Sequence, residues 1–117
     1  MKQEKFQVIN FIRNLIVEID KELTNFPKKD IELKNRIRSN SYDLLELVYE
    51  ANTVNEESDK KRLLEKAIAK IKVIDFLLNL AYDNMIIINK KYLKLGRRID
   101  DIIKYTTGWM KNINLKV

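Results

Sequence analysis

Apolar side chains recur every three or four residues through four long segments of this chain of 117 residues, and little interrupts the pattern. The sequence holds one proline and two glycines, the residues that most often end or weaken helices. Such spacing is typical of amphipathic helices with one apolar face. It predicts helices over residues 4–24, 30–54, 59–84 and 89–113, joined by short loops.

Four long helices with short connections favour an all-α fold, an antiparallel up-down four-helix bundle forming a single domain over residues 1–117. Proline restricts the residue before it and lacks an amide donor, so Pro27 is expected to end the first helix. Short polar residues that accept backbone hydrogen bonds favour helix starts. The expected N-caps of the second, third and fourth helices are Asp30, Ser58 or Asp59, and Asn89, respectively.

The third predicted helix carries two apolar stripes, whereas one would suffice for a small monomeric bundle. The first stripe, which includes Leu63, Ile71 and Leu78, is expected to face the core. Two explanations for the second stripe stay open: this helix is the most buried of the four, or it also meets another subunit. The second stripe, the predicted oligomer interface, comprises Val73, Phe76, Leu77 and Leu80.

The formal net charge of +6 arises in the last quarter of the chain. Residues 89–117 hold eight basic and two acidic side chains, and the preceding residues are neutral overall. A helical projection places most of these cations opposite the apolar stripe of the fourth helix, with Asp101 among them and Tyr92 and Trp109 inward. Such asymmetry indicates an anionic partner, although a solvated face with surplus lysines is the alternative. The predicted phosphate-binding residues are Lys90, Lys94, Arg97, Arg98, Lys104 and Lys111.

This interpretation predicts sequence-tolerant binding of RNA or DNA that weakens with salt. It requires that neighbouring carboxylates do not neutralise Lys94 and Arg97.

Several enzyme classes are disfavoured by residues that the sequence lacks. Without cysteine or histidine there is no thiol nucleophile, no Cys or His metal site and no imidazole base. Glu56 and Glu57 lack the third carboxylate of a helical magnesium site, and Gly96 and Gly108 are expected to permit close packing rather than to bind phosphate. We therefore expect no enzymatic activity, no cofactor and no metal.

No segment resembles a signal peptide or a membrane span. The longest apolar run covers residues 85–88, whereas a bilayer requires about 20 residues. We expect a cytoplasmic protein that does not associate with membranes.

Parts of the chain resemble a known family. The motifs are Phe26-Pro27-Lys28, a leucine-rich helix over residues 44–51, Ile88-Asn89 at a helix start, and Gly108-Trp109 near the end. Together they resemble the four-helix accessory variability determinants of diversity-generating retroelements. Three positions depart from that pattern: Ile103 and Thr107 stand where glycine is common in the family, and Lys104 stands where arginine is common.

The resemblance implies an accessory protein that partners a retroelement reverse transcriptase. It also implies a barrel-like homopentamer, a ring-like homo-oligomer with a positive surface that contacts RNA or DNA. Bundle proteins encoded in intervening sequences of large ribosomal RNA genes share this architecture and remain an alternative. A protein-binding oligomeric scaffold whose lysines serve only solubility is a second alternative.

Overall fold

The structure, a computed structural model, describes residues 2–115 of the chain and the side chains of residues 5–113. This part is all-helical, without strands. Every helix begins and ends within two residues of its predicted bounds. The helices are α1 (Lys2–Leu23), α2 (Ile31–Thr53), α3 (Glu57–Asp83) and α4 (Asn89–Leu115), with a 3₁₀ turn at Lys28–Asp30.

Each helix packs against two others. Helix α1 contacts α2 and α4, and α3 contacts the same two helices. Within the described residues no Cα pair within 8 Å joins α1 to α3 or α2 to α4, so these helices lie diagonally opposite. The result is a four-helix bundle of 48 × 23 × 18 Å around one apolar core.

The core follows the predicted apolar stripes. Leu63, Ile71 and Leu78 of the first α3 stripe are buried as expected. On α2 the buried set includes Ser41, whose hydroxyl donates to the Ile37 carbonyl oxygen at 2.7 Å. On α1, Val8 and Leu15 are fully buried. The buried face of α4 consists of Leu95, Ile99, Ile102, Thr106, Trp109 and Ile113.

Of the predicted N-caps, the position of Asp30 is confirmed and the other two are wrong. Asp30 is the N-cap of α2, although its side chain makes no capping hydrogen bond. Helix α3 begins before Ser58 and Asp59, because the amide of Lys60 already donates to the Glu56 carbonyl oxygen at 3.0 Å. Residues 56–59 are all polar, so composition does not identify which of them starts the helix.

Asn89 was expected to precede α4 as its cap, but it is the first residue of the helix. The cap position belongs to Ile88, whose carbonyl oxygen accepts from the amide of Tyr92 at 3.0 Å. The prediction failed because an apolar residue at this position offers no cap signal in the sequence.

Helix α3 ends in a Schellman motif at Met85. The amide of Ile86 donates to the Ala81 carbonyl oxygen at 2.8 Å, and the amide of Met85 donates to the Tyr82 carbonyl oxygen at 3.0 Å. This motif requires a left-handed residue, and Met85 has φ 62°. The turn directs the chain into α4 and leaves the Met85 side chain 91% exposed.

Candidate nucleic-acid interface

The basic side chains of α4 divide into two groups with different surroundings. One group lies against α1 and contacts carboxylates there. The other lies on the side of α4 that faces away from the bundle, without an ion pair to any described side chain. We call the first group the α1-facing cations, which are Lys91, Lys94 and Arg98, and the second the cation row, which is Lys90, Arg97, Lys104 and Lys111.

The α1-facing cations hold α4 against α1. Lys94 Nζ and Arg98 Nη2 lie 3.4 Å and 3.6 Å from the same oxygen, Oε1 of Glu18. One turn further along α1, Glu22 Oε2 lies 3.6 Å from Lys91 Nζ. The expectation that Lys94 is not neutralised by a carboxylate is therefore wrong, and Arg98 shares its partner. These ion pairs reduce the positive charge that this flank of α4 presents to a ligand.

The ionisation of Glu18 reflects this environment. Its side chain is only 19% exposed, and burial by itself opposes the charged form. The hydrogen bond from Lys94 and the positive charges of Lys94, Arg98 and Lys21 outweigh burial, so the pKa of Glu18 lies below its ordinary value of 4.5. Glu18 is consequently an anion at neutral pH and a stable partner for both cations.

Four of the six predicted phosphate-binding residues belong to the cation row and display positive charge without a carboxylate partner among the described side chains. All four side chains are exposed, and Arg97 contacts no carboxylate of the described residues. Lys104 Nζ lies 5.8 Å from the ring centroid of Tyr105, which leaves its charge available to a ligand. Because the four residues are spaced seven apart, they share one side of the helix. The row is the strongest candidate for contacts with an anionic polymer.

The aromatic side chains of α4 are engaged within the bundle. Tyr92 stacks on Tyr82 with ring centroids 4.7 Å apart, and its hydroxyl lies 2.7 Å from the side-chain amide nitrogen of Asn79, which donates to it. Tyr105 makes an edge-to-face contact with Phe11 at 5.2 Å. Trp109 is buried in the core. Each of the three aromatic rings of α4 therefore has a contact within the bundle, and Trp109 is fully covered.

The second apolar stripe of α3 lies on the outside of the bundle. Phe76 is 59% exposed and Val73 is 46% exposed, whereas Leu77 and Leu80 are half-buried. Val73 also borders a groove of about 440 Å³ between α2 and α3 that is lined by apolar and charged side chains. Val73 and Phe76 are exposed, so the explanation that α3 is the most buried helix does not account for these two residues. These four residues form the α3 outer face.

Asp75 on α3 is influenced by a carboxylate of α4. Burial, together with the negative charge of Asp100, raises the pKa of Asp75 above its ordinary value. The described residues contain no group of three or more acidic, histidine or cysteine side chains that could hold a metal ion.

Gly96 does not serve close packing, contrary to expectation. A Cβ atom built at Gly96 would find no heavy atom of its surroundings within 4 Å. The residue therefore leaves open space rather than admitting a neighbouring helix. Across the helical residues that the structure describes, none of the helices is long and apolar enough to cross a membrane.

Sequence reasoning missed the carboxylates that pair with α4. Glu18 and Glu22 are spaced four apart on α1, so they share one side of that helix, and this spacing was the available signal. The charges of α4 alone do not reveal these ion pairs, because they depend on which helix lies beside α4. Compared with known proteins, the chain matches no family model, no curated protein and no solved structure.

Proposed function

We propose that this chain is a non-catalytic, cytoplasmic accessory protein of a diversity-generating retroelement, which binds nucleic acid through α4 and partners the reverse transcriptase. The observation that carries the nucleic-acid part is the cation row, four exposed positive side chains without carboxylate partners among the described residues. Lysine and arginine on such a surface bind phosphates through charge and release counterions, with little selectivity for base sequence. The retroelement part rests on the sequence motifs described above.

The proposal includes an antiparallel arrangement of the helices. Between α1 and α4 the contacts join residue 11 to 105, 18 to 98 and 22 to 91, so that one number rises as the other falls. Between α2 and α3, Asp43 lies 3.6 Å from Lys70, and the Ala51 carbonyl oxygen accepts from Lys60. Both sets of contacts support an up-down bundle with short connections.

A further part of the proposal is self-association through the α3 outer face into a ring, five copies being the number that the family resemblance implies. Val73 and Phe76 lie exposed and close together on α3, and burying them against a neighbour would remove apolar surface from water. A head-to-tail contact that closes on itself forms a ring and repeats the cation row in every subunit. Repetition of a weak site strengthens the binding of a long polyanion.

The test of nucleic-acid binding is fluorescence anisotropy with labelled RNA and DNA at low and physiological salt. We expect binding that weakens steeply with salt and that is lost when Arg97 and Lys104 are both changed to Glu. The matched control changes Lys28 and Lys29 to Glu; these residues are exposed and distant in sequence from α4. Affinity that is indifferent to salt, or equally weakened by both double variants, would exclude the cation row as the site.

The test of self-association is molar mass in solution by light scattering. Five copies of the 14.0 kDa chain would give about 70 kDa. Phe76→Ser combined with Leu80→Ser should reduce the mass to that of one chain. Val17→Ser is the control, because Val17 is also 55% exposed but lies on α1. A parent protein that is monomeric at micromolar concentration would refute self-association.

A protein-binding scaffold is the second candidate, and the exposed α3 outer face favours it. It predicts a complex that Phe76→Ser disrupts while nucleic acid never binds. The retroelement assignment itself is tested by co-purification with the reverse transcriptase encoded nearest to this gene. A gene within a ribosomal RNA intervening sequence, with no reverse transcriptase beside it, would favour the ribosomal alternative instead.

A further inference from the structure

We propose that α1 and α2 form a base-stacking site for unpaired nucleic acid, which adds to the charge-driven binding by α4. The inference rests on the proposed binding of nucleic acid and adds the class of ligand, a single strand. The site, which we call the α1–α2 face, consists of Arg13, Asp20, Lys21, Arg38, Tyr42 and Tyr49.

Two tyrosine rings on α2 are exposed and have no polar or aromatic partner. Tyr42 is 48% exposed and Tyr49 is 42% exposed. Neither takes part in a hydrogen bond, a ring stack or a cation–π contact with the described residues. The rings of Tyr92 and Tyr105 on α4, by contrast, contact other rings of the bundle. The tyrosines of α2 are therefore available to stack on a ligand.

The two rings lie on one side of α2 at a separation that suits a strand. Residues seven apart on an α-helix are rotated by only about 20° and separated by about 10.5 Å along the axis. Successive bases of a strand in B-form DNA rise by about 3.4 Å, so two rings at this separation engage two different bases. In a duplex the faces of those bases are covered by their neighbours, whereas in an unpaired strand a tyrosine can stack on them.

Tyr42 borders a shallow depression that also holds cations. The depression, of about 600 Å³, lies between α1 and α2 and is lined by Asp20, Lys21, Thr24 and Arg38 in addition to Tyr42. Neither Lys21 nor Arg38 forms an ion pair with a described side chain. A strand stacked on Tyr42 can therefore place its phosphates beside two cations that no carboxylate engages.

The second ring has a cation at the same level of the bundle. Arg13 lies seven residues before Asp20 on α1, and Tyr49 lies seven residues after Tyr42 on α2. In the proposed antiparallel arrangement both steps lead in the same direction along the bundle, so Arg13 and Tyr49 lie at similar heights on adjoining helices. Arg13 is exposed and forms no ion pair with the described side chains. The face thus presents a tyrosine with a cation twice.

Asp20 favours a base over a bare phosphate in the depression. Its exposed carboxylate has no ion-pair partner among the described side chains. A carboxylate repels phosphate but accepts hydrogen bonds from the amino groups of bases. Asp43 and Glu46, the carboxylates between the two tyrosines in the chain, line the groove between α2 and α3 instead. The α1–α2 face therefore keeps one acceptor for a base and three cations for the backbone.

The experiment measures fluorescence anisotropy with three labelled probes of equal length: an unstructured RNA strand, the same backbone without bases, and an RNA duplex. A strand of about 12 nucleotides is about 41 Å long if its bases stay stacked, which exceeds the 23 Å width of the bundle. One strand can then contact both α4 and the α1–α2 face. The abasic strand keeps the phosphates, and we expect it to bind at least about 10-fold more weakly than the RNA strand.

Substitution of both tyrosines separates stacking from charge. Tyr42→Leu with Tyr49→Leu removes the rings but keeps apolar side chains, so affinity for the RNA strand should fall at least about 10-fold, to that of the abasic strand. Binding of the abasic strand and of the duplex should not change. Tyr42→Phe with Tyr49→Phe retains the rings and should bind all three probes as the parent does. Phe76→Leu, which removes an exposed ring from α3, is the matched control and should likewise leave the affinities unchanged.

The cations of the face are tested through the salt dependence of binding. Arg13→Gln with Arg38→Gln removes two phosphate contacts and should reduce the slope of log affinity against log salt by about 1.4 for the RNA strand. Lys28→Gln with Lys29→Gln changes the net charge equally and should leave the slope as it is. Circular dichroism checks that every variant remains helical.

Two results would overturn the stacking site. One is equal affinity of the parent for the RNA strand and the abasic strand, and the other is a double leucine variant that keeps the preference for bases. In both cases binding of the duplex through the cation row would stand, because that surface needs no stacking. Absence of binding to all three probes would overturn the proposed function as well.

Discussion

Glu18 provides a direct test of how α4 is held against α1. Its oxygen Oε1 contacts both Lys94 and Arg98, and its side chain is only 19% exposed. Exposed ion pairs contribute about 0.2–1 kcal/mol each, so two pairs on one largely covered carboxylate are expected to contribute about 1 kcal/mol together. Glu18→Gln keeps the shape of the side chain and removes its charge. We therefore expect this variant to lower the free energy of unfolding by about 1 kcal/mol at pH 7.

The corresponding change in Tm follows from the size of the chain. An unfolding entropy of about 2.1 cal/mol/K per residue gives about 250 cal/mol/K for 117 residues. A loss of 1 kcal/mol then lowers Tm by about 4 °C. Urea unfolding and thermal melts at one fixed protein concentration measure both quantities. Glu22→Gln, which removes the single pair with Lys91, should have about half the effect. Glu65→Gln is the control, because Glu65 is exposed and forms no ion pair with a described side chain. It should change stability by less than about 0.5 kcal/mol.

The pH dependence of this effect has a definite sign. The cations near Glu18 lower its pKa in the folded protein below the ordinary value of 4.5. The ionised carboxylate therefore stabilises the fold fully above pH 4.5, and the contribution is lost as pH falls through the lowered folded-state pKa. The parent protein and Glu18→Gln should become equally stable below that point. Equal stability at pH 7, or an unchanged deficit in strong acid, would refute the role of these ion pairs.

Three further substitutions have expected effects on stability, each measurable by urea unfolding. Gly96→Ala should raise the free energy of unfolding by about 0.8–1 kcal/mol, because a helix-interior glycine is replaced where the added methyl group meets nothing within 4 Å; Gly96→Ser should give a smaller gain, and a loss for Ala would contradict the open space. Met85→Gly should stabilise by about 0.5–1 kcal/mol, because glycine adopts the left-handed φ of 62° without strain; a destabilised variant would indicate that the Met85 side chain contributes despite its exposure. Asp75→Asn should raise stability at neutral pH by up to about 0.5 kcal/mol. Burial and Asp100 raise the pKa of Asp75 in the folded state, so its ionised form opposes folding, and the gain should disappear as pH falls below the ordinary value of 3.8.

The core could be predicted from the sequence because the helical period alone defines it. On α3, residues such as Leu64, Ile71 and Leu78 recur at steps of seven, and each is at most 1% exposed. The same spacing distinguished the second apolar stripe of α3 from the first. Val73 and Phe76 are the exposed members of that second stripe. Periodicity identifies which side of a helix is apolar. In a four-helix bundle the apolar side of each helix packs into the shared core.

The helix starts and the ion pairs could not be predicted with the same success. They depend on backbone geometry and on which helices are neighbours, and the spacing of apolar residues carries no information about either. Several polar residues precede α3, and the backbone rather than side-chain chemistry selects Glu56 as the last residue before it. The pairing of Lys94 and Arg98 with Glu18 depends on which helices are neighbours and on their register. A projection of α4 alone shows the direction of a cation but not the charges on the helix that it faces.

The division of the α4 cations also indicates which of them folding requires. Lys91, Lys94 and Arg98 contact carboxylates and so contribute to the stability of the bundle. The cation row makes no such contact with the described side chains, and neighbouring members of the row lie about 10.5 Å apart, where two like charges in water repel by about 0.4 kcal/mol before salt screening. The row therefore slightly opposes folding. Solubility would be served by cations placed anywhere on the surface, whereas cations grouped on one side of a helix can contact several charges of one anionic ligand together. The alignment of the row, more than the net charge, is thus the feature that favours a polyanion as the partner.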